Sequence, residues 1–162
     1  MLFRSASLVA VSETNLKRGE KAVSLGVADK YYNALDPEFL NQVMTETQGG
    51  FDKVIECCGN GPAVSSAIMS VKPGGTVVLL GVSTQPITTP LVMGVMKELT
   101  LKGGIAYTKE EFVDTLKLIE DKKIDVLKFV DDVVSLDEVQ KSFERLTSGN
   151  DDAIKILIDP TK

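Results

Sequence analysis

The stretch FDKVIECCGNGPAVSSAIMSVKPGGTVVLLG, residues 51–81, contains two apolar segments with a helical segment between them. Residues 52–58 and 76–81 are rich in valine, isoleucine, leucine and cysteine, as is typical of strands that are covered on both faces of a sheet. The apolar residues between these segments recur at helical spacing, which predicts a helix from about Pro62. Because two parallel strands need a long crossover between them, this order predicts a parallel β–α–β unit.

The rest of the chain continues the alternation of strands and helices. Helix starts are marked by capping residues, as at Asn15 and Ser135, and helix ends by glycine, as at Gly26 and Gly149. Buried strands that alternate with helices predict a doubly wound, Rossmann-like α/β fold with a parallel sheet. The predicted elements outside 51–81 are strands at 7–12, 30–32, 99–105 and 153–158, and helices at 16–25, 36–47 (capped by Asp36), 111–121 and between Ser135 and Gly149, with a short helix after Pro90.

Two of the predicted helices carry an apolar stripe on one face. A stripe of this kind normally packs against the core, and we expect the stripe of the second helix to be buried. The stripe residues are Phe112, Leu116 and Ile119 in the first helix, and Val139, Phe143 and Leu146 in the second.

The composition excludes several classes of function. A net charge of −5 and a pI of about 4.8 argue against binding to nucleic acid, and no apolar run is long enough to span a bilayer. The chain has no histidine, and Cys57 and Cys58 lack the spacing of metal ligands, so it offers no zinc site and no residue that we name as catalytic. Adjacent cysteines seldom form a disulfide, and residues 1–11 lack a signal-peptide pattern, so we expect a cytoplasmic protein.

Ligands of doubly wound sheets bind beyond the carboxyl ends of the strands, so the residues there are candidate binding residues. Glu13 follows a predicted strand and precedes a helix. From this position a carboxylate can accept bonds from both hydroxyls of an adenosine ribose and repel a 2′-phosphate, which favours NAD over NADP. An ordinary acidic residue in a surface turn is the alternative for Glu13. The other strand ends are Cys58-Gly59-Asn60 and Gly81-Val82-Ser83.

The segment GNGPAV, residues 59–64, partly matches the G-x-G-x-x-G fingerprint of dinucleotide-binding loops. Val64 replaces the third glycine, and the following strand ends without an acid that could hold a ribose. We therefore interpret the segment as a tight turn from strand to helix at the cofactor cleft, and not as the pyrophosphate loop. Cys57 and Cys58 are interpreted as small apolar fillers, with reactive thiols as the alternative.

The order of VAVSE, FDKVIECCG, VKPGGTVVLLG, KELTLKGGIAY and AIKILIDP resembles the cofactor domain of medium-chain, zinc-containing alcohol dehydrogenases, notably the butanediol, polyol and threonine dehydrogenase branch. The resemblance extends from Ser7 to Pro160. It implies an enzyme that passes hydride from a secondary alcohol or polyol to NAD, with zinc lowering the pKa of the alcohol.

The resemblance also implies roles for individual residues around NAD. Glu13 and Arg18 match residues that contact the adenosine ribose, and Cys58, next to Gly59, matches a residue that lines the adenine pocket. The remaining matches are Gly81 and Val82 beneath the nicotinamide ring, Ile105 with its backbone near the carboxamide, and Lys155 near the pyrophosphate.

Parts of the family pattern have no match in this sequence. The family's first strand, its glycine-rich loop and its zinc-binding catalytic domain would all precede Ser7. We therefore expect residues 1–162 to form a single partial dinucleotide-binding domain, with a return segment after about residue 107, that is inactive by itself and binds no zinc. In the strand order 3-2-1-4-5-6, strand 1 would lie between 7–12 and 52–58. The full-length enzyme is expected to be a homodimer or homotetramer that pairs through the outer strand 99–105.

Two other functions remain open at this stage. Residues 71–78 also resemble a turn and strand of S-adenosylmethionine-dependent methyltransferases, in which an acid at Glu13 could hold the ribose of that cofactor. A closing antiparallel hairpin would be expected in that case, and the sequence after Gly81 does not show one. The third reading is a dinucleotide-binding subunit without activity of its own.

Overall fold

The computed structural model describes residues 6–149 and 151–162. The chain divides into two compact units: the first combines residues up to Asp36 with those from Thr108 onward, and the second is Pro37–Tyr107. Every strand pair in the described residues is parallel. The predicted α/β fold with parallel sheets is therefore confirmed.

The second unit is a three-stranded sheet with helices in its crossovers. Its strands pair in the order β3-β4-β5, and Val77 in the middle strand lies opposite Val54 and Leu101. The core of this unit is formed by Ala67, Val71 and Val77. The elements are α2 (Phe39–Glu46), β3 (Phe51–Glu56), α3 (Gly61–Ser70), β4 (Val71–Leu79), α4 (Leu91–Met96) and β5 (Thr100–Gly103).

A lysine side chain completes the carboxyl end of α3. The last carbonyl groups of a helix have no partner within the helix. The Lys97 ammonium donates to the carbonyl oxygens of Ile68 at 3.3 Å, Met69 at 2.7 Å and Val71 at 2.9 Å. Burial lowers the pKa of Lys97, because desolvation disfavours the charged ammonium group. This cap ties the segment before β5 to the crossover between β3 and β4.

The first unit contains two separate parallel strand pairs. One pair is β1 with β2, in which Glu13 lies opposite Asn33, and the other is β6 with β7. Helix α1 packs so closely on β2 that a Cβ at Gly19 would lie 2.2 Å from the Tyr31 ring. The elements are β1 (Ala10–Glu13), α1 (Leu16–Ser24), β2 (Lys30–Asn33), α5 (Lys109–Glu120), β6 (Val130–Val134), α6 (Val139–Thr147) and β7 (Lys155–Ile158).

The predicted central strand stays a prediction. In the described residues β1 pairs with β2 alone and β3 pairs with β4 alone. This pairing agrees with the part of the order 3-2-1-4-5-6 that the sequence supplies. In residues 6–149 and 151–162, no helix has both the length and the apolar character that crossing a bilayer requires.

Several element boundaries differ from the sequence prediction. The strand predicted at 7–12 begins at Ala10 and includes Glu13 as its last residue. Helix α2 starts at Phe39 and not after a cap at Asp36, since Pro37 and Glu38 form a turn first. Strand β3 ends at Glu56, two residues early, because the Glu56 side chain bonds the next backbone N–H groups and turns the chain.

The stripe that was predicted to be buried in α6 is not fully buried, and the apolar face of α5 is largely exposed. The exposed fractions are 48% for Phe112, 50% for Leu116 and 61% for Phe143. Helix α5 has no buried residue, and in α6 Val139 and Leu146 are half-buried while only Ser142 is buried. Strand β6 was not predicted, since Asp131 and Asp132 interrupt its apolar run.

Helix starts are better predicted than helix faces. Asn15 caps α1 by accepting from the Arg18 N–H at 3.2 Å, as predicted. Glu138 accepts from both the N–H and the hydroxyl of Ser135 before α6. A second capping box, Thr108 with Glu111, starts α5 and was missed in the sequence.

Candidate functional site

Glu13 lies at the carboxyl end of β1, where its carboxylate shapes the turn into α1. Its Oε1 atom accepts from the N–H of Thr14 at 2.8 Å, the hydroxyl of Thr14 at 3.2 Å and the N–H of Asn15 at 3.0 Å. None of these three bonds uses the second carboxylate oxygen, Oε2. The turn therefore fixes the carboxylate through one oxygen and leaves the other able to accept from a ligand hydroxyl.

Asn15 connects this turn to the segment before β7. Its side-chain oxygen caps α1, and its amide donates to the carbonyl oxygens of Gly149 at 3.3 Å and Asp151 at 3.1 Å. Arg18 lies one helical turn into α1, and its Nε is buried without a partner among the described residues. Lys155, the first residue of β7, is exposed, and its backbone N–H donates to the carboxylate of Asp131. The first unit thus places Glu13 at the end of β1 and Arg18 in the helix that follows.

Glu56 organises the ends of β3 and β4, and sequence reasoning missed it. The residue is 4% exposed, and its Oε1 accepts from the N–H groups of Cys58 at 2.7 Å and Gly59 at 2.8 Å. Its carbonyl oxygen accepts from the N–H groups of Leu80 at 2.8 Å and Gly81 at 3.0 Å. An acid at a strand end, just before a turn that contains glycine, was the signal that could have identified it.

The two turns approach each other at Gly59 and Gly81. A Cβ at Gly81 would lie 2.0 Å from the Gly59 nitrogen and 2.6 Å from Glu56 Oε2. A Cβ at Gly59 would lie 2.6 Å from backbone atoms of Val82, and the φ of Gly59 is +71°. The close backbone approach leaves no room for a side chain at either position, and the positive φ of Gly59 also favours glycine there. The structure brings Cys58, Gly59, Gly81 and Val82 together, as the fold prediction implies.

The turn after Gly59 is a tight connection from strand to helix. The Asn60 side chain accepts from the Ala63 N–H at 2.9 Å and caps α3, while Pro62 occupies its first turn. The interpretation of residues 59–64 as such a turn is confirmed, and its place at a cofactor cleft remains a prediction.

The interpretation of the cysteines as buried apolar fillers is wrong. Cys57 and Cys58 are both exposed, because β3 ends before them. Desolvation and the neighbouring Glu56 carboxylate raise the pKa of Cys57 above its ordinary value, so the thiol is not activated as a nucleophile. Ile105, two residues after β5, is also highly exposed.

The described residues do not form a metal site. They contain no group of three or more histidine, cysteine, aspartate or glutamate side chains arranged to hold a metal ion. Zinc sites in proteins are built from these side chains, so the described residues do not supply the ligands of a zinc ion.

Comparison with known proteins assigns the family. Residues 5–121 match the family described as zinc-binding dehydrogenase. The chain is 32% identical over 154 residues to the (R,R)-butanediol dehydrogenase of Neisseria gonorrhoeae, which covers 94% of this chain and 43% of that enzyme. It is 30% identical over 110 residues to the D-xylulose reductase of Saccharomyces cerevisiae, covering 68% of this chain and 31% of the relative.

Solved structures show the same relationship. The zinc-dependent alcohol dehydrogenase 2 of Streptococcus pneumonia superposes with a TM-score of 0.88 at 26% identity, over 98% of this chain and 46% of that one. The alcohol dehydrogenase TADH of Thermus sp. ATN1 gives 0.84 at 29% identity, over 97% and 45%. The chain thus spans less than half the length of these relatives. The resemblance to medium-chain, zinc-containing alcohol dehydrogenases is confirmed, and the chain belongs to the zinc-binding dehydrogenase family.

Proposed function

We propose that this chain is the NAD-binding portion of an oxidoreductase that transfers hydride from a secondary alcohol or polyol to NAD. The observation that carries the proposal is the Glu13 carboxylate at the end of β1, held by its own turn through Oε1. A carboxylate in this position of a parallel α/β sheet can accept from a ribose hydroxyl and repels a 2′-phosphate. The names of the similar butanediol dehydrogenase and D-xylulose reductase support the substrate class.

The close approach of Gly59 and Gly81 supports a dinucleotide as the ligand. A side chain at either position would clash with the backbone of the other turn, so the two turns pack directly against each other at the carboxyl ends of β3 and β4. In open parallel sheets this end of the strands is where ligands bind. We assign Glu13, Arg18 and Lys155 in the first unit, and Cys58, Gly59, Gly81, Val82 and Ile105 in the second, to cofactor binding.

The family implies a zinc ion, but the described residues offer no donor set for it. We therefore assign no step through zinc and no catalytic residue to this chain. We expect the chain alone to bind NAD without oxidising an alcohol, and we place the protein in the cytoplasm.

The methyltransferase reading is less well supported. It requires an antiparallel hairpin at the end of the sheet, whereas every strand pair in residues 6–149 and 151–162 is parallel. Binding of S-adenosylhomocysteine would distinguish the two readings directly.

The substitution Glu13→Gln tests the cofactor assignment. Glutamine keeps an oxygen for the Thr14 and Asn15 N–H groups but removes the charge. We expect the wild-type chain to bind NAD⁺ more tightly than NADP⁺ in isothermal titration calorimetry. Since a charge-assisted bond contributes roughly 1.5 to 3 kcal/mol, the variant should bind NAD⁺ about tenfold or more weakly and lose most of its discrimination.

Glu20→Gln is the matched control, because Glu20 is an exposed residue of α1. It should leave both affinities unchanged. Equal affinities of wild type and Glu13→Gln would make Glu13 a surface turn residue. Tight binding of S-adenosylhomocysteine without binding of NAD⁺ would refute the proposed function.

A further inference from the structure

We propose that Glu56 is a positioning residue of the cofactor site, which fixes the two turns that would contact the dinucleotide. This inference rests on the proposed function and extends it to a residue that the sequence analysis did not select. Glu56 is nearly fully buried, and it touches the backbone of both turns.

The side chain and the main chain of Glu56 hold different turns. Its carboxylate accepts from the N–H groups of Cys58 and Gly59, at 2.7 and 2.8 Å. Its carbonyl oxygen accepts from the N–H groups of Leu80 and Gly81, at 2.8 and 3.0 Å. A substitution of the side chain therefore removes the bonds to the first turn and keeps those to the second. This difference provides an internal control within one molecule.

Stability alone does not account for a carboxylate at this position. Its second oxygen, Oε2, is buried and has no hydrogen-bond partner among the described residues. A buried acceptor without a partner destabilises the folded state, and such exceptions concentrate at functional sites. The atom also lies against Gly81, where a Cβ would come within 2.6 Å of it.

The geometry connects this carboxylate to ligand binding through Gly59. The φ of Gly59 is +71°, and its Cα approaches the backbone of Val82 so closely that a Cβ would lie 2.6 Å away. If the N–H groups of Cys58 and Gly59 lose their acceptor, the first turn can move and the contact with Val82 loosens. Both predicted ligand-facing segments then lose their fixed separation.

The test compares Glu56→Gln and Glu56→Ala with wild type, and uses Glu120→Gln, at an exposed position in α5, as the control. Amide hydrogen exchange measured by NMR reports on each turn without any ligand. In Glu56→Ala we expect faster exchange at Cys58 and Gly59 and unchanged exchange at Leu80 and Gly81. Glu56→Gln retains an oxygen acceptor and should restore most of the protection.

Calorimetric binding of NAD⁺ and of ADP-ribose gives the second readout. We expect Glu56→Ala to bind both about tenfold more weakly, as loss of a charge-assisted bond would produce, and Glu56→Gln to lose less than about threefold. Unchanged exchange at Cys58 and Gly59, or affinities equal to wild type in Glu56→Ala, would overturn the positioning role.

The failure of the two proposals is distinguishable. If the wild-type chain binds neither NAD⁺ nor ADP-ribose, the proposed function fails, and the positioning role fails with it. If the wild type binds both ligands and Glu56→Ala binds them equally well, only the positioning role fails. A melting temperature that falls in Glu56→Ala without a change in affinity would assign Glu56 to stability alone.

Discussion

The backbone at Gly81 passes so close to Gly59 that a methyl group has no place between them. A Cβ at Gly81 would lie 2.0 Å from the Gly59 nitrogen, a backbone atom that cannot rotate away. Gly103 is the matched contrast, because nothing lies within 4 Å of its Cβ position and its φ is not positive. An added methyl group therefore clashes with the backbone at position 81 and has free space at position 103.

We predict that Gly81→Ala destabilises the protein by about 2 to 3 kcal/mol, in the range for overpacking a closely packed site. The expected fall in melting temperature is about 4 to 12 °C for a chain of this size. Gly103→Ala should stay within about 0.5 kcal/mol of wild type. Thermal unfolding followed by circular dichroism measures both, and similar melting temperatures for the two variants would contradict the described approach of the turns.

Helix α1 and strands β6 and β7 are connected through Asp131. Its Oδ1 forms an ion pair with Lys21 of α1, and its Oδ2 accepts from the N–H groups of Ile154 at 2.6 Å and Lys155 at 3.2 Å. Burial disfavours the ionised form, but the bonds from Lys21 and the two N–H groups outweigh it and hold the pKa of Asp131 below its ordinary value of 3.8. The ionised carboxylate therefore stabilises the folded state.

This pKa shift predicts acid sensitivity with a definite sign. A lowered pKa in the folded state means that the stabilisation is complete above the unfolded pKa and is lost as the pH falls through the folded pKa. We expect the free energy of unfolding to decrease below about pH 4, and Asp131→Asn to flatten that decrease and to cost about 1 to 3 kcal/mol at pH 7. Urea unfolding at several pH values measures both effects.

Asp114→Asn is the control for this prediction. Asp114 forms an exposed ion pair with Lys117 at 3.6 Å, a kind of pair that contributes little to stability. An equal loss of stability in Asp114→Asn and Asp131→Asn would show that the bonds of Asp131 do not connect these elements.

Exposed apolar side chains in α4 and just after β5 predict self-association. Val95, Met96 and Ile105 are 72%, 73% and 81% exposed, and β5 lies at the end of its sheet. Unpaired strand edges and contiguous apolar patches favour pairing with a second copy. We expect a dimer through β5 to form with increasing concentration in sedimentation velocity.

The substitution Val95→Lys should shift the chain toward the monomer, since a lysine there would be buried in the dimer. Leu127→Lys is the control, because Leu127 is similarly exposed but lies in the first unit, in a short 3₁₀ helix before β6. A wild-type chain that stays monomeric up to about 100 μM, which corresponds to an association free energy weaker than about 5.5 kcal/mol, would refute the predicted dimer.

Local sequence patterns were sufficient to predict the type and order of most elements. The valine and isoleucine runs of β3 and β4, the cap at Asn15 and the glycine at Gly26 depend on local backbone chemistry, so they could be identified without coordinates. Glu13 could be selected because its place between a strand and a helix is a local pattern. Strand β6 escaped prediction because Asp131 and Asp132 interrupt its apolar run, and the groups that bond these aspartates lie far away in sequence.

Which side chains share an environment depends on how the chain packs, and local patterns do not report it. The role of Glu56 depends on β4 lying beside β3, because one residue then meets the N–H groups of two turns that are more than twenty residues apart in the chain. The exposure of Phe112 and Phe143 likewise depends on what covers a helix face, which helical periodicity does not report. Periodicity and capping are properties of neighbouring residues, whereas burial and hydrogen-bond partners across strands are properties of the packed chain.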